Sequence, residues 1–171
     1  MTSQNEKVWI KLSLSEMIHG ATIGAIRHYE AEQANRKMSS SFSKTDKDPM
    51  VSHVQGAIGE MVVAKALGRY FNPTVNSFKD ADLGHDIQVR LRVRHDADMG
   101  HNDNDNPDHL YVLVTGRGPD YCVHGWELGR NVRVPKYRQN LSSLGSLWFV
   151  PQNALRPIQS LINIKKQKDE W

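Results

Sequence analysis

The sequence predicts an α/β fold in which helices pack on a mixed β-sheet. Three observations predict it. Helical periodicity comes early, in a stretch that ends at about Arg36 and in a second at 51–69. A strictly alternating segment, IQVRLRVR, follows at 87–94. A nearly continuous apolar run, HLYVLVTG, comes next, the mark of a strand covered on both faces. A chain of 171 residues, 39% hydrophobic and 24% charged, suits one globular domain with a real core.

The elements follow in order. VWIKL at 8–12 reads as a short strand. Ser13 and Glu16 have capping-box spacing, each side chain able to satisfy a free backbone N–H at a helix start. The helix that follows carries Ile18, Ile23, Ile26 and Tyr29 as its apolar stripe. MSSSFSKTDKDP is polar and serine-rich and reads as a linker or mobile loop. In the second helix Val51, Val54, Ile58, Met61 and Val62 recur at helical spacing, with Gly68 near its end. TVNSF is a strand candidate. In 87–94, Ile87, Val89, Leu91 and Val93 take one face and Gln88, Arg90, Arg92 and Arg94 the other. The next fifteen residues, HDADMGHNDNDNPDH, read as a polar loop. DYCVHGWEL reads as a strand on which Cys122, His124 and Trp126 share a parity. LWFVP is a last strand, with Trp148 and Phe149 in the core. Asn153 is placed to cap a helix over 154–163, and KKQKDEW reads as a frayed end.

A single cysteine, Cys122, leaves no internal disulfide framework and points to a reducing compartment or to indifference to redox. The N-terminal residues contain no apolar h-region, and no stretch approaches the ~18 apolar residues of a membrane span. A cytoplasmic protein is expected. The net charge is only +3, but it is unevenly spread. Eight aspartates lie between Asp80 and Asp108, while eight Lys/Arg and two acids lie from Arg130 to the end. A basic C-terminal third can attract phosphates, but on charge alone a solvated face with a ragged tail is the favoured reading. No Walker A loop or dinucleotide fingerprint is present.

Two places carry candidate chemistry. The helical neighbours of Glu60 are Gly56, Ala57, Val63 and Ala64, all small or apolar, so its carboxylate projects from the face that buries itself. Such a carboxylate needs a metal, a cation or hydrogen-bond donors, and an arginine from the sheet is the structural alternative to a ligand role. In ADLGHDIQVR, Asp82 precedes a glycine turn, and Gln88 and Arg90 share a strand face that Asp86 can join. Hard oxygens bind Mg²⁺, and a neighbouring cation stabilises charge on a reacting phosphate. Paired arginines and aspartates on an exposed strand are the alternative. The His/Asp-rich segment 95–109 matches no zinc spacing and lacks the calcium-loop glycine and glutamate. Cys122 reads as a structural thiol. Tyr137 among Arg133, Lys136 and Arg138 suits stacking on a base beside held phosphates, or a solvated basic turn.

GAIGEMVVAKALG, DADLGHDIQVRLRV, LYVLVTG, GPDYCVHGWELG and FVPQNALRP together resemble small phage-encoded proteins of the PD-(D/E)XK nuclease-like superfamily, over roughly residues 50–157. The resemblance implies a restriction-endonuclease-like mixed sheet flanked by helices in a single domain. Residues 1–49 would be an N-terminal extension and 164–171 a frayed tail. It makes Glu60 the helix carboxylate, Asp82 the main metal ligand and Gln88 the second strand ligand, with Arg90 in the lysine position. It implies Mg²⁺ or Mn²⁺ as cofactor, DNA as substrate and a host cell's cytoplasm as location. Two departures stand out. Glutamine brings a ligating oxygen without charge. Arginine is a permanently charged planar fork, better at clamping phosphate than at moving protons. One alternative is therefore a non-cleaving nucleic-acid binder using Arg92, Arg94, Arg133, Lys136, Tyr137 and Arg138. Another is a phage factor that docks on a host protein through residues 96–108. Homo-oligomerisation is left open.

Overall fold

The computed structural model describes residues 6–34, 48–72, 81–141 and 145–167. It is a mixed α/β domain of three layers. The middle layer is a four-stranded sheet in the order β1-β5-β4-β2, formed by β1 (Val8–Lys11), β2 (Ile87–Arg92), β4 (Leu110–Arg117) and β5 (Asp120–Leu128). β2 runs parallel to β4, and the other pairings are antiparallel. One face carries helices α1 (Leu14–Gln33), α2 (Pro49–Ala66) and α4 (Ile158–Gln167). The other carries a three-stranded antiparallel sheet, β3-β7-β6, made of β3 (Met99–His101), β6 (Arg138–Leu141) and β7 (Gly145–Val150). A one-turn helix, α3 (Gly129–Val132), follows β5.

The alternation of β4 explains the layering. Val112 and Val114 join the helix-side core with Val62, Val63, Val123 and Leu161, while Tyr111 and Leu113 join Met99, Trp148 and Val150 between the sheets. β4 is therefore buried on both faces, as its apolar run predicts. No helix among the described residues is long and apolar enough to cross a membrane.

Several expectations are corrected. α1 keeps its Ser13/Glu16 capping box, but of its predicted stripe only Ile23 is buried; Ile18, Ile26 and Tyr29 are exposed. The helix turns its glycines inward instead. A Cβ on Gly20 would lie 2.9 Å from Ile58, and one on Gly24 would collide with the backbone of Val54. Only glycine permits that approach. Asp48 caps α2, so Pro49 opens a helix rather than closing a linker, and Val51 is exposed. TVNSF and most of the serine-rich segment lie outside the described residues.

The polar stretch after β2 is not merely a loop, because its Met99–His101 segment is the fully buried β3. A bulge in the β4–β5 register breaks the parity of β5: His124 bonds Thr115, whereas Trp126 turns to the helix core. The last helix starts at Ile158, and Asn153 lies in a preceding 3₁₀ turn. Lys165 is not frayed, since its ammonium is buried on Asp86 at 2.6 and 2.7 Å.

The glycine contact yields a paired prediction. Gly24→Ala is expected to cost about 1–3 kcal/mol through overpacking. Gly56→Ala, on the same helical layer but with open space at its Cβ, should stabilise by up to about 1 kcal/mol. Urea unfolding of the two variants checks the opposite signs.

Candidate functional site

The site forms at the outer edge of the central sheet. β2 is an edge strand, so alternate N–H groups along it face away from β4. The chain before it folds back through a tight turn in which Leu83 and Ile87 exchange backbone hydrogen bonds at 3.0 and 3.2 Å. Gly84 makes that turn with φ of 62°, a left-handed conformation suited to glycine. The turn lays Asp82 along the strand edge, where Oδ2 accepts the Val89 N–H at 2.6 Å.

Glu60 approaches from above. α2 sits on the apolar face of β2, with Gly59 against Val89 and Leu91. Glu60 is 4% exposed, so the expectation of an inward carboxylate holds. Its partner is an arginine, but one from α1 rather than from the sheet. Arg27 donates Nη1 to Oε1 at 2.5 Å and Nη2 to Oε2 at 2.8 Å, a two-point fork. Burial, opposed by that fork and reinforced by the charge of Asp82, pushes the Glu60 carboxyl up to about 7. Burial also raises Asp82, against the pull of the Val89 N–H, Arg90 and Arg27.

Gln88 and Arg90 leave the opposite face of β2. The Gln88 amide nitrogen meets His109 Nδ1 at 3.3 Å. Arg90 pairs with Asp105 at 2.8 Å and lies 4.9 Å from the centre of the Tyr111 ring. Asp82 lies within electrostatic reach of both arginines and of Asp105. Asp82 thus links two acid–arginine pairs electrostatically, Glu60 with Arg27 on the helix side and Asp105 with Arg90 on the opposite face of β2. Gln88 borders this cluster, turned toward His109. Among the described residues no three His, Cys, Asp or Glu side chains are grouped to hold a metal ion.

The remaining basic residues have their own partners. Arg94 is exposed and forks onto Asp96 at 2.9 and 2.5 Å. Arg92 is half-buried, and burial lowers its pKa. Arg133 donates to the carbonyls of Asp103, at 2.9 Å, and of Asp105, so it fastens the 102–105 segment. Lys136 stands 4.6 Å over the Tyr137 ring, and Arg138 lies 6.0 Å from Trp148. Asp108 pairs with Arg130, so the acidic segment spends part of its charge internally. Cys122 is buried, as expected for a structural thiol, and burial raises its pKa.

Sequence reasoning missed Arg27 and Asp105. Gly20, Gly24 and Arg27 follow at i, i+4 and i+7, a helical face that does signal the first. Nothing separates Asp105 from the other aspartates around it.

Together, the fold and the cluster define a mixed α/β domain with a buried acid–arginine site at a sheet edge. No family model, curated protein or solved structure matches the chain.

His101 is fully buried between Tyr111 and Trp148, and neither ring nitrogen is hydrogen-bonded. Burial lowers its pKa to about 4. The unfolded chain therefore takes up this proton near 6.5 and the folded chain only near 4, so stability falls as pH drops across that window. From pH 7 to 5 the wild type should lose about 1–2 kcal/mol more than His101→Phe, measured by urea unfolding at each pH.

Proposed function

We propose that this chain is a metal-dependent nuclease of the PD-(D/E)XK type that hydrolyses DNA. The observation that carries this reading is the place of Asp82, in a turn, within electrostatic reach of Glu60 on the helix and of Arg90 on the strand. The donor chemistry fits a hard dication such as Mg²⁺ or Mn²⁺. Two carboxylates, each raised by burial, stand close enough for the charge of one to oppose ionisation of the other. A cation relieves that opposition. Among the described residues, hydrogen bonding at Asp82 engages Oδ2 alone, which leaves Oδ1 as a ligand. The Gln88 carbonyl oxygen would be the second ligand and Glu60 the third. When bound, the metal supplies charge stabilisation on the phosphate and a more acidic water.

The chain's own residues do the rest. The Val89 N–H orients the Asp82 carboxylate. Arg27 keeps the Glu60 carboxylate in place and compensates its burial. Arg90 offers a planar fork to phosphate oxygens and stabilises the charge that develops on them. A guanidinium is a clamp for phosphate rather than a general base.

A second reading keeps the fold and drops the reaction: a nucleic-acid binder. It is favoured by the Arg27 fork, which engages both oxygens of Glu60 with a permanent cation. This reading predicts affinity that falls steeply with salt, through counterion release, and no product.

The test is cleavage of single-stranded, double-stranded and branched DNA with Mg²⁺ or Mn²⁺. The nuclease reading expects cleavage that chelation stops and that Asp82→Asn abolishes, since the amide can still accept the Val89 N–H and preserve the turn. Arg90→Ala should lower kcat by about 100-fold. Intact DNA on all three substrates with both metals sinks the nuclease, and salt-sensitive binding in that same protein establishes the binder.

A further inference from the structure

The acid in the cluster that the proposed reaction leaves unused is Asp105. Its Oδ2 lies 2.8 Å from Arg90 Nη2 and also accepts the Asn102 N–H at 2.9 Å. The segment that bears it is fastened from four directions. β3 pairs with β7 just before it. Arg133 donates to the carbonyls of Asp103 and Asp105. The Tyr111 hydroxyl donates to the Asn106 carbonyl at 3.0 Å. His101 packs edge-on against Tyr111, with ring centres 4.7 Å apart.

Arg90 is therefore held on two sides, by a fixed carboxylate and by the Tyr111 ring face. An arginine side chain has many rotamers, and one that is free must be ordered again each time it grips a phosphate. One that is already held presents its fork in a set direction.

We propose that Asp105 is the positioning residue for Arg90, holding the guanidinium over Tyr111 at the Asp82 edge so that a backbone phosphate meets a preset fork. Its catalytic consequence rests on the nuclease reading; the holding of Arg90 does not.

The variant Asp105→Asn removes the charge but keeps an oxygen for the Asn102 N–H. Two measurements follow. In cleavage assays, Asp105→Asn should lower kcat by about tenfold or more with KM nearly unchanged. Asp105→Glu, which keeps the charge, should recover most of the loss. In an Arg90→Gln background Asp105→Asn should have no further effect, because the residue acts through Arg90. A residue that only staples the segment lowers activity equally in both backgrounds, and that additive result overturns the proposal.

The second measurement needs no activity. The Arg90 guanidinium proton resonances should be resolved and slowly exchanging in the wild type and broadened in Asp105→Asn. Unchanged resonances overturn the proposal. If the wild type cleaves nothing, the nuclease reading falls alone and the resonances still decide whether Asp105 holds Arg90. Should Asp105→Asn fail to fold, Asp105→Glu carries the same measurement, and loss of the signal there counts against the proposal.

Discussion

A carboxylate pressed into the buried face of α2 has to be answered by a cation, and much of the arrangement around the sheet edge follows from that demand. Removing the charge of Glu60 from water is costly unless it is paired. Arg27 answers it with two hydrogen bonds. That answer is possible only because α1 lies unusually close to α2, and the closeness comes from Gly20 and Gly24. The fork and the helix contact are thus one feature seen at two scales. Enlarging a glycine shifts the helix that carries the compensating charge.

The same economy holds at the edge of the sheet. The Val89 N–H would otherwise face outward from an unpaired strand, and Asp82 accepts it. That bond also fixes the direction of the carboxylate and keeps it within electrostatic reach of Glu60, Arg27 and Arg90. A single side chain terminates the sheet and shapes the electrostatics of the cluster. On the far face Asp105 and Tyr111 do for Arg90 what Arg27 does for Glu60, except that there the fixed partner is the anion.

Legibility in the sequence varied with how local each determinant was. The strand at 87–92, the doubly covered β4 and the span of β5 rest on side-chain alternation and apolar runs, which are local, and all three were readable. Glu60 was readable as a buried anion because its neighbours one turn away are small or apolar. Its partner was not, since Arg27 reaches it by a contact between helices. The α1 stripe misled because residue hydrophobicity is a weaker constraint there than backbone proximity: glycines took the interface and Ile18, Ile26 and Tyr29 were left outside. β3 was hidden among aspartates because three residues are too few to show a period. The bulge at His124 reversed the parity of everything after it, which no alternation rule anticipates.

β2 and β4 are parallel neighbours, yet no helix crosses between them. The chain leaves the central sheet after Arg92, adds β3 to the second sheet, and returns at Leu110. This excursion sews the two sheets together through the middle of the sequence. The three-stranded layer cannot peel away without tugging on the strand that bears Gln88 and Arg90, so both layers belong to one cooperative unit, and loosening at the β6 edge is felt at the cluster.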